Sequence, residues 1–320
     1  MNTDYLIKNL SKQGIAHERN GRENEDRTTT FQTDEYIWLG VFDGVSEGGG
    51  GAVAASVASE SMNAVLTGSS FDSVLDAGFA IFRRAHASIL EMNMVHPEYG
   101  KMRTTGAVAC IDRKNHSLRW FSIGDSAIYL FSKHRKLQKL TIEDTDIGIL
   151  LAQGKISHKA ASRATIGHEL NRWLGMNVHP DAIDNYVRTG YIELHKQDSI
   201  LLCTDGLYSK LSFKQLSRLI SNEADPEILI KSAIQSGSED DISLIHAIPD
   251  IKPSSTLISL KLVLASMILM FACGFFSGTY VHYRMKESTG EMRHILREGE
   301  KSEESTDSLT IFKTEGNEGI

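Results

Sequence analysis

Two apolar runs in this chain stop abruptly at an Asp-Gly pair: Tyr36 to Phe42 (YIWLGVF) before Asp43-Gly44, and Leu201 to Cys203, one threonine before Asp205-Gly206. Short continuous apolar runs rich in β-branched and aromatic residues read as buried strands. A strand that ends in a carboxylate followed by glycine lifts that carboxylate to the rim of a sheet. There it can bind a cation while the glycine lets backbone and water approach. Two further acidic clusters, Asn24-Glu25-Asp26 and Ser238 to Ser243 (SEDDIS), lie far from both in sequence. Rims so far apart point to one hard-metal site assembled by the fold, and so to chemistry on phosphate or on water.

The 320 residues suffice for one large domain or two small ones. A formal charge of -7 argues against nucleic acid as the main partner, because duplex binding wants basic patches. Cys110, Cys203 and Cys273 share no CxxC spacing, which points to buried free thiols rather than a disulfide framework or a zinc site. The N-terminal MNTDYLIKNLSKQG lacks the sections of a signal peptide.

Strand signals at Tyr36 to Phe42, Ala107 to Ile111, Leu118 to Ile123 and Ala127 to Phe131 are joined by the turn pairs Asn115-His116 and Asp125-Ser126. Helical spacing runs from Asp72 to about Met94, after a first helix released by the Gly48 to Gly51 run. The Thr145 to Leu174 region reads as helical and polar, broken at Gly154. Strands resume at Tyr186 to Leu194 and Ser199 to Cys203. Two helices follow, the second entered through Asp225-Pro226, before a last strand at Ile242 to Ala247. Antiparallel runs of strands with paired helices between them predict an α+β layered domain rather than a parallel doubly wound sheet.

The order NED, VFDG, MRTTGA, IGDS, CTDGL and EDDIS, spread over residues 14 to 247, resembles the metal-dependent protein phosphatases. These are the type 2C (PPM) serine/threonine class, here of bacterial type. Each piece alone is weak, since Asp-Gly is first a turn dipeptide; the six in order are specific. The resemblance implies an αββα sandwich of two mainly antiparallel sheets flanked by helices. It also implies two Mg²⁺ or Mn²⁺ ions. Asp43 corresponds to the carboxylate bridging both, with the Gly44 carbonyl beside it. Asp205 and Asp240 correspond to ligands of the first metal and Glu25 to a ligand of the second, with Asp26 next to it. Asp125 corresponds to a residue serving a weaker third site, and Asp241 is treated as a neighbour of the ligands. Oxygen donors suit Mg²⁺ or Mn²⁺ over zinc. Residues from Leu140 (LTIED) through Gly154 to Leu174-Gly175 resemble the family's flap.

Three departures stand out. The arginine many members place three residues before the Asn-Glu-Asp asparagine is Gly21 here, which leaves Arg22 as the expected phosphate clamp. Val45 stands where some members carry a histidine after Asp-Gly. Ser209 stands where an aspartate commonly follows Asp205 by four residues, which weakens the third metal site.

From Leu262 to Tyr283 no Asp, Glu, Lys or Arg occurs, a run long enough to cross a bilayer. The expected organisation is a phosphatase domain over 1–250, a linker over 251–257, one transmembrane helix over 258–283 and a charged tail over 284–320. Gly274 and Gly278 have the spacing that packs membrane helices together as a dimer. Without a signal peptide the domain is expected on the cytoplasmic side, although Arg284, Lys286, Arg293, Arg297 and Lys301 bias the tail inward too. The expected partners are phosphorylated proteins, opposite a serine/threonine kinase, and the membrane. Two rival readings are a non-catalytic phosphoprotein-binding module and a two-metal phosphohydrolase of small molecules.

Overall fold

The computed structural model describes residues 4–45, 50–132, 136–161, 164–221 and 225–250, with positions 286 and 290. The chain divides at Ile251, and the first unit, Met1–Ile251, holds every element named below. In chain order these are β1 (Tyr5–Lys12), α1 (Ile15–Arg19), β2 (Arg27–Gln32), β3 (Tyr36–Phe42), β4 (Gly44–Val45), α2 (Gly51–Gly68) and α3 (Val74–Val95). Next come β5 (Arg103–Thr104), β6 (Gly106–Asp112), β7 (Ser117–Ile123), β8 (Ala127–Ser132), β9 (Lys136–Lys139), α4 (Asp146–Ala152) and α5 (His158–Ala161). The last are β10 (Arg188–Glu193), β11 (Ser199–Cys203), α6 (Asp205–Tyr208), α7 (Phe213–Ser221), α8 (Pro226–Gln235) and β12 (Ile242–Pro249).

Two five-stranded sheets, in the orders β1-β12-β11-β8-β9 and β10-β7-β6-β3-β2, are paired antiparallel throughout. Side chains alternate along each strand, so the apolar runs serve two cores at once. From β3, Ile37, Leu39 and Val41 meet Ile128, Leu130, Ile200, Leu202 and Ile245 between the sheets. Trp38 and Phe42, from the same strand, pack outward under Met62 of α2 and Phe82 of α3. Beyond the other sheet, Leu201 and Leu244 pack against Leu216, Leu229 and Ile230 of α7 and α8. Burial on both faces is why these strands read as unbroken apolar runs. The outcome is the α+β sandwich with helices outside both sheets.

β1 and β2 carry no such run. They are edge strands, polar toward solvent, and take their pairing from β12 and β3. The expectation for Thr145 to Leu174 is corrected: among the described residues only α4 and α5 are helical there, joined by turns and isolated bridges. Among the described residues no helix is long and apolar enough to cross a membrane. The run 258–283, with Gly274 and Gly278, the linker, and the tail apart from positions 286 and 290 lie outside those residues.

α3 crosses its sheet so closely at Gly78 that an added Cβ would overlap the Phe121 ring. Gly78→Ala gains about 1 kcal/mol of helix propensity but overpacks a buried aromatic, at a typical cost of about 1–3 kcal/mol. Urea unfolding should therefore show a lower midpoint for the variant, and an unchanged or raised midpoint would refute this packing.

Candidate metal and phosphate site

The strand registers bring all the acidic clusters to one end of both sheets. At that end β3 finishes beside the start of β2 (Phe42 with Arg27), and β7 finishes beside the start of β6 (Ile123 with Gly106). In the other sheet β11 finishes beside the start of β8 (Cys203 with Ala127) and near the start of β12. Asp43, Asp125 and Asp205 follow the ends of β3, β7 and β11 there, and Glu25, Asp26 and Asp240 precede the starts of β2 and β12.

Asp43 is fixed through its backbone. The Thr104 hydroxyl and the Thr105 amide donate to its carbonyl at 2.8 and 2.9 Å, and its own amide donates to Thr105 Oγ1 at 3.2 Å. Thr105 Oγ1 lies 2.7 Å from Ser126 Oγ, which ties the Asp43 loop to the turn that carries Asp125. Gly44 packs so tightly on Gly51 and on the Glu25 carbonyl that no side chain fits at either glycine. A Cβ on Gly51 would strike Glu25 Oε2.

Asp26 is buried and accepts a hydrogen bond of 2.9 Å from Thr204 Oγ1, on the loop that leads into Asp205. Asp205 opens the single turn α6, and Ser209 is exposed, its amide closing on the Asp205 carbonyl at 2.8 Å. Asp240 is the most exposed of the set, its carboxylate accepting from the Asp241 amide at 2.8 Å.

The charges strain against one another. Burial, then repulsion from Asp26, Asp205, Asp125 and Asp240, holds the Asp43 carboxyl well above the usual carboxylate range. Asp205 is raised in the same way by burial and by Asp125, Asp240 and Asp26. Asp26 is pushed up to about 8, by burial first and against the stabilising bond from Thr204. Asp125 is pushed up to about 6, again by burial first, then by Glu143. Each carboxyl therefore feels the others, and together they form a buried oxygen-donor set short of positive charge. That donor set and the glycine-lined cradle fit hard divalent cations. Among the described residues, no three His, Cys, Asp or Glu side chains are arranged to hold one ion.

Arg22, the expected phosphate clamp, lies against Glu25. Its Nη2 donates to Glu25 Oε1 at 2.6 Å, lowering a carboxyl that burial otherwise raises. Gly21 turns the loop at φ +63° just before it. Asp241, treated as a neighbour in the sequence, has a distinct task. Its buried carboxylate accepts from the Gly14 amide (2.6 Å) and the Glu25 amide (2.7 Å), and lies 2.8 Å from His17 Nδ1. It thus locks the N-terminal loop that carries Glu25. Nothing in the dipeptide Asp240-Asp241 says which carboxylate turns inward. The flap region is stitched to the same end: the Asp144 amide donates to the Gly124 carbonyl, and Asp144 accepts from the Gly124 amide and from Arg188 at 2.8 Å.

The family described as Protein phosphatase 2C matches residues 13–231, more than half of the chain. The chain belongs to that family. It is a metal-dependent serine/threonine protein phosphatase by membership. Among solved structures, the S. agalactiae serine/threonine phosphatase is similar with a TM-score of 0.67 at 17% identity, over 77% of this chain and 100% of that one. The Mycobacterium tuberculosis serine/threonine phosphatase PstP/Ppp aligns with a TM-score of 0.64 at 21% identity, over 78% and 100%. The catalytic domain of PstP in complex with 2 manganese ions aligns at 0.62 and 22% identity, over 77% and 98%. At such identities these likenesses establish the shared fold. No curated protein matches the sequence.

The raised carboxyls have a measurable consequence in the metal-free protein. An acid raised in the folded state holds a proton that the unfolded chain releases, so stability falls as pH rises toward the folded value. The buried imidazoles of His86 and His246 (the latter pushed down to about 4) act in the opposite sense below the ordinary histidine range. The window between about pH 7 and 8 therefore lies above the ordinary histidine range and above Asp125 at about 6, and reads Asp26, pushed up to about 8, with Asp43 and Asp205. In EDTA the Tm should drop across that window. With Mn²⁺, which binds the ionised carboxylates, the drop should vanish or reverse. A Tm that rises with pH in EDTA would contradict the carboxylate assignment.

Proposed function

We propose that this chain is a membrane-anchored phosphatase that removes phosphate from phosphoserine and phosphothreonine in proteins, opposite a serine/threonine kinase. One observation carries this reading: five mutually repelling carboxylates, Asp26, Asp43, Asp125, Asp205 and Asp240, meet at one end of the sandwich. Asp43, Asp205 and Asp240 would hold one Mn²⁺ or Mg²⁺. Asp43, the Gly44 carbonyl and Glu25 would hold a second, with Asp26 beside them. When bound, such a pair lowers the pKa of a water and steadies the phosphoryl oxygens during in-line displacement.

The protein's own residues set the geometry around that chemistry. Thr104 and Thr105 fix the Asp43 backbone, and Asp241 fixes the loop of Glu25. Arg22 sits within reach of Glu25, where its guanidinium can transfer from that carboxylate to the phosphate of a substrate. Val45 offers no proton, so the leaving serine or threonine oxygen would take its proton from solvent or from a metal-bound water. The buried thiols Cys110 and Cys203 are raised by burial and stay protonated, which leaves no cysteine nucleophile among the described residues.

The run from Leu262 to Tyr283, free of Asp, Glu, Lys and Arg, supports the anchor. Tethering would raise the effective concentration of the enzyme at membrane substrates. After alkaline carbonate extraction the full-length chain should stay in the membrane pellet; release to the supernatant would remove the anchor.

The activity is tested by phosphate release from a phosphothreonine peptide, with Mn²⁺, with Mg²⁺ and with EDTA. Metal-dependent release is expected, and Asp43→Asn should lower it by more than about 100-fold, beyond the usual effect of losing a group behind a ligand. Full activity in that variant would sink the assignment. Peptide binding without release by the unaltered chain would favour the non-catalytic module.

A further inference from the structure

The strand register carries one arginine, Arg103, to the mouth of the carboxylate site and gives it no carboxylate of its own. β3 pairs with β6 (Val41 with Ala107) and β4 with β5 (Gly44 with Thr104, Val45 with Arg103) in one continuous register, joined by the bonds between Asp43 and Thr105. Side chains alternate along such a ribbon. Phe42 and Gly106 face the helical layer and Gly44 meets Gly51, whereas Val41 and Ala107 face the opposite sheet. Asp43 and Thr105 continue that inner face, where Thr105 meets Ser126. Val45 and Arg103 form the next rung outward, about 7 Å beyond at two residues of strand rise. On the other side of β5, Leu174 and Thr104 exchange backbone bonds of 2.9 and 3.3 Å, which sets Trp173 diagonal to Arg103. The Arg103 guanidinium carbon lies 5.4 Å from the centre of the Trp173 ring. Among the described residues this guanidinium has no hydrogen bond or ion pair, and its Nε is buried without a partner. Arg22 and Arg188, at the same end, each lie on a carboxylate instead.

We infer that Arg103, held on Trp173, selects protein substrates by an acidic side chain about two or three residues from the phosphorylated one. A guanidinium stacked on an aromatic ring keeps its N–H edges free, and those edges match a carboxylate. Position favours a flanking residue over the phosphoryl group itself. The Trp173 segment runs two strands over from Asp43, about 10 Å away at a strand spacing of roughly 4.8 Å. An extended peptide advances about 3.3 Å per residue, so a phosphorylated residue seated at Asp43 brings its second or third neighbour to Arg103. The carboxylates around Asp43 repel acidic side chains placed elsewhere, so a cation set at this point makes the preference specific to position. Arg103 meets the substrate away from the reacting atoms and is a specificity-determining residue.

This inference rests on the phosphatase reading of the site, and the test separates the two. Phosphothreonine peptides carrying one glutamate or one glutamine, placed in turn at each of the three positions on either side, are given to the full-length chain in detergent with Mn²⁺. At one position two or three residues away, kcat/KM for phosphate release should favour glutamate by about tenfold, the scale of a charge-assisted hydrogen bond. Arg103→Gln should abolish that ratio, Arg103→Lys should keep part of it, and Arg103→Glu should reverse it in favour of a lysine at the same place. A merely structural role would lower release from every peptide alike and leave the ratio standing. No glutamate preference in the unaltered chain, or one that survives Arg103→Gln with its circular dichroism intact, would overturn the inference. Where Arg103→Gln does not fold, Trp173→Leu decides in its place, because removing the ring that holds the guanidinium should weaken the same ratio. Binding of these peptides with a non-hydrolysable phosphonate in place of the phosphate is read by fluorescence anisotropy on the same samples. A chain that releases no phosphate yet binds the glutamate peptide more tightly through Arg103 removes the phosphatase reading and keeps the inference. Metal-dependent release with no glutamate preference does the reverse.

Discussion

Gathering several carboxylates in a space sheltered from water is costly, because each must either keep its proton or meet a compensating charge. Much of the local architecture at this end of the molecule follows from that constraint. Asp26, Asp43 and Asp205 are raised by burial and by one another, so the site has a standing affinity for positive charge. Three kinds of positive charge answer it. Arg22 pairs with Glu25, Lys139 pairs with Glu143, and the remaining carboxylates suit hard divalent ions.

Holding such a set together needs rigid backbone more than side-chain contacts. The glycine pair Gly44 and Gly51 lets two segments touch beside Glu25. Thr104 and Thr105 grip the Asp43 carbonyl, and Thr204 spans from Asp26 to the Ser243 amide at the start of β12. Asp241 accepts from the amides of Gly14 and Glu25. These contacts join the N-terminal loop, both sheets and the turn of Asp125 into one unit. The two sheets, buried on both faces, supply the fixed ends from which the loops depart.

Legibility differed by element for physical reasons. The central strands β3, β6 and β11 announce themselves because both of their faces need apolar side chains. β1 and β2 escape notice because an edge strand keeps one side wet and borrows its conformation from a partner. The Thr145 to Leu174 segment misleads in the other direction. Its polar, helix-compatible composition yields only α4 and α5, since Asp144 and the bridges Thr145–Leu170 and Thr104–Leu174 impose their own path. Lys139 and Glu143 carry the i,i+4 spacing of an ion pair, but they lie across a strand end and a loop. Only the register of β9 on β8 shows that Lys139 lies opposite Tyr129.

The sequence alone carried the α+β layered domain, the motif order that resembles the family, and the candidate carboxylates. Those depend on local patterns: apolar runs, Asp-Gly endings and the order in which they occur. Tertiary structure decided what each charge meets. That Asp241 turns inward to bind the amides of Gly14 and Glu25 while Asp240 stays exposed, and that Lys139 lies over the Tyr208 ring, are long-range outcomes. Electrostatic partners are set by distance in space, and strands far apart in the chain fix those distances only when the sheets pair.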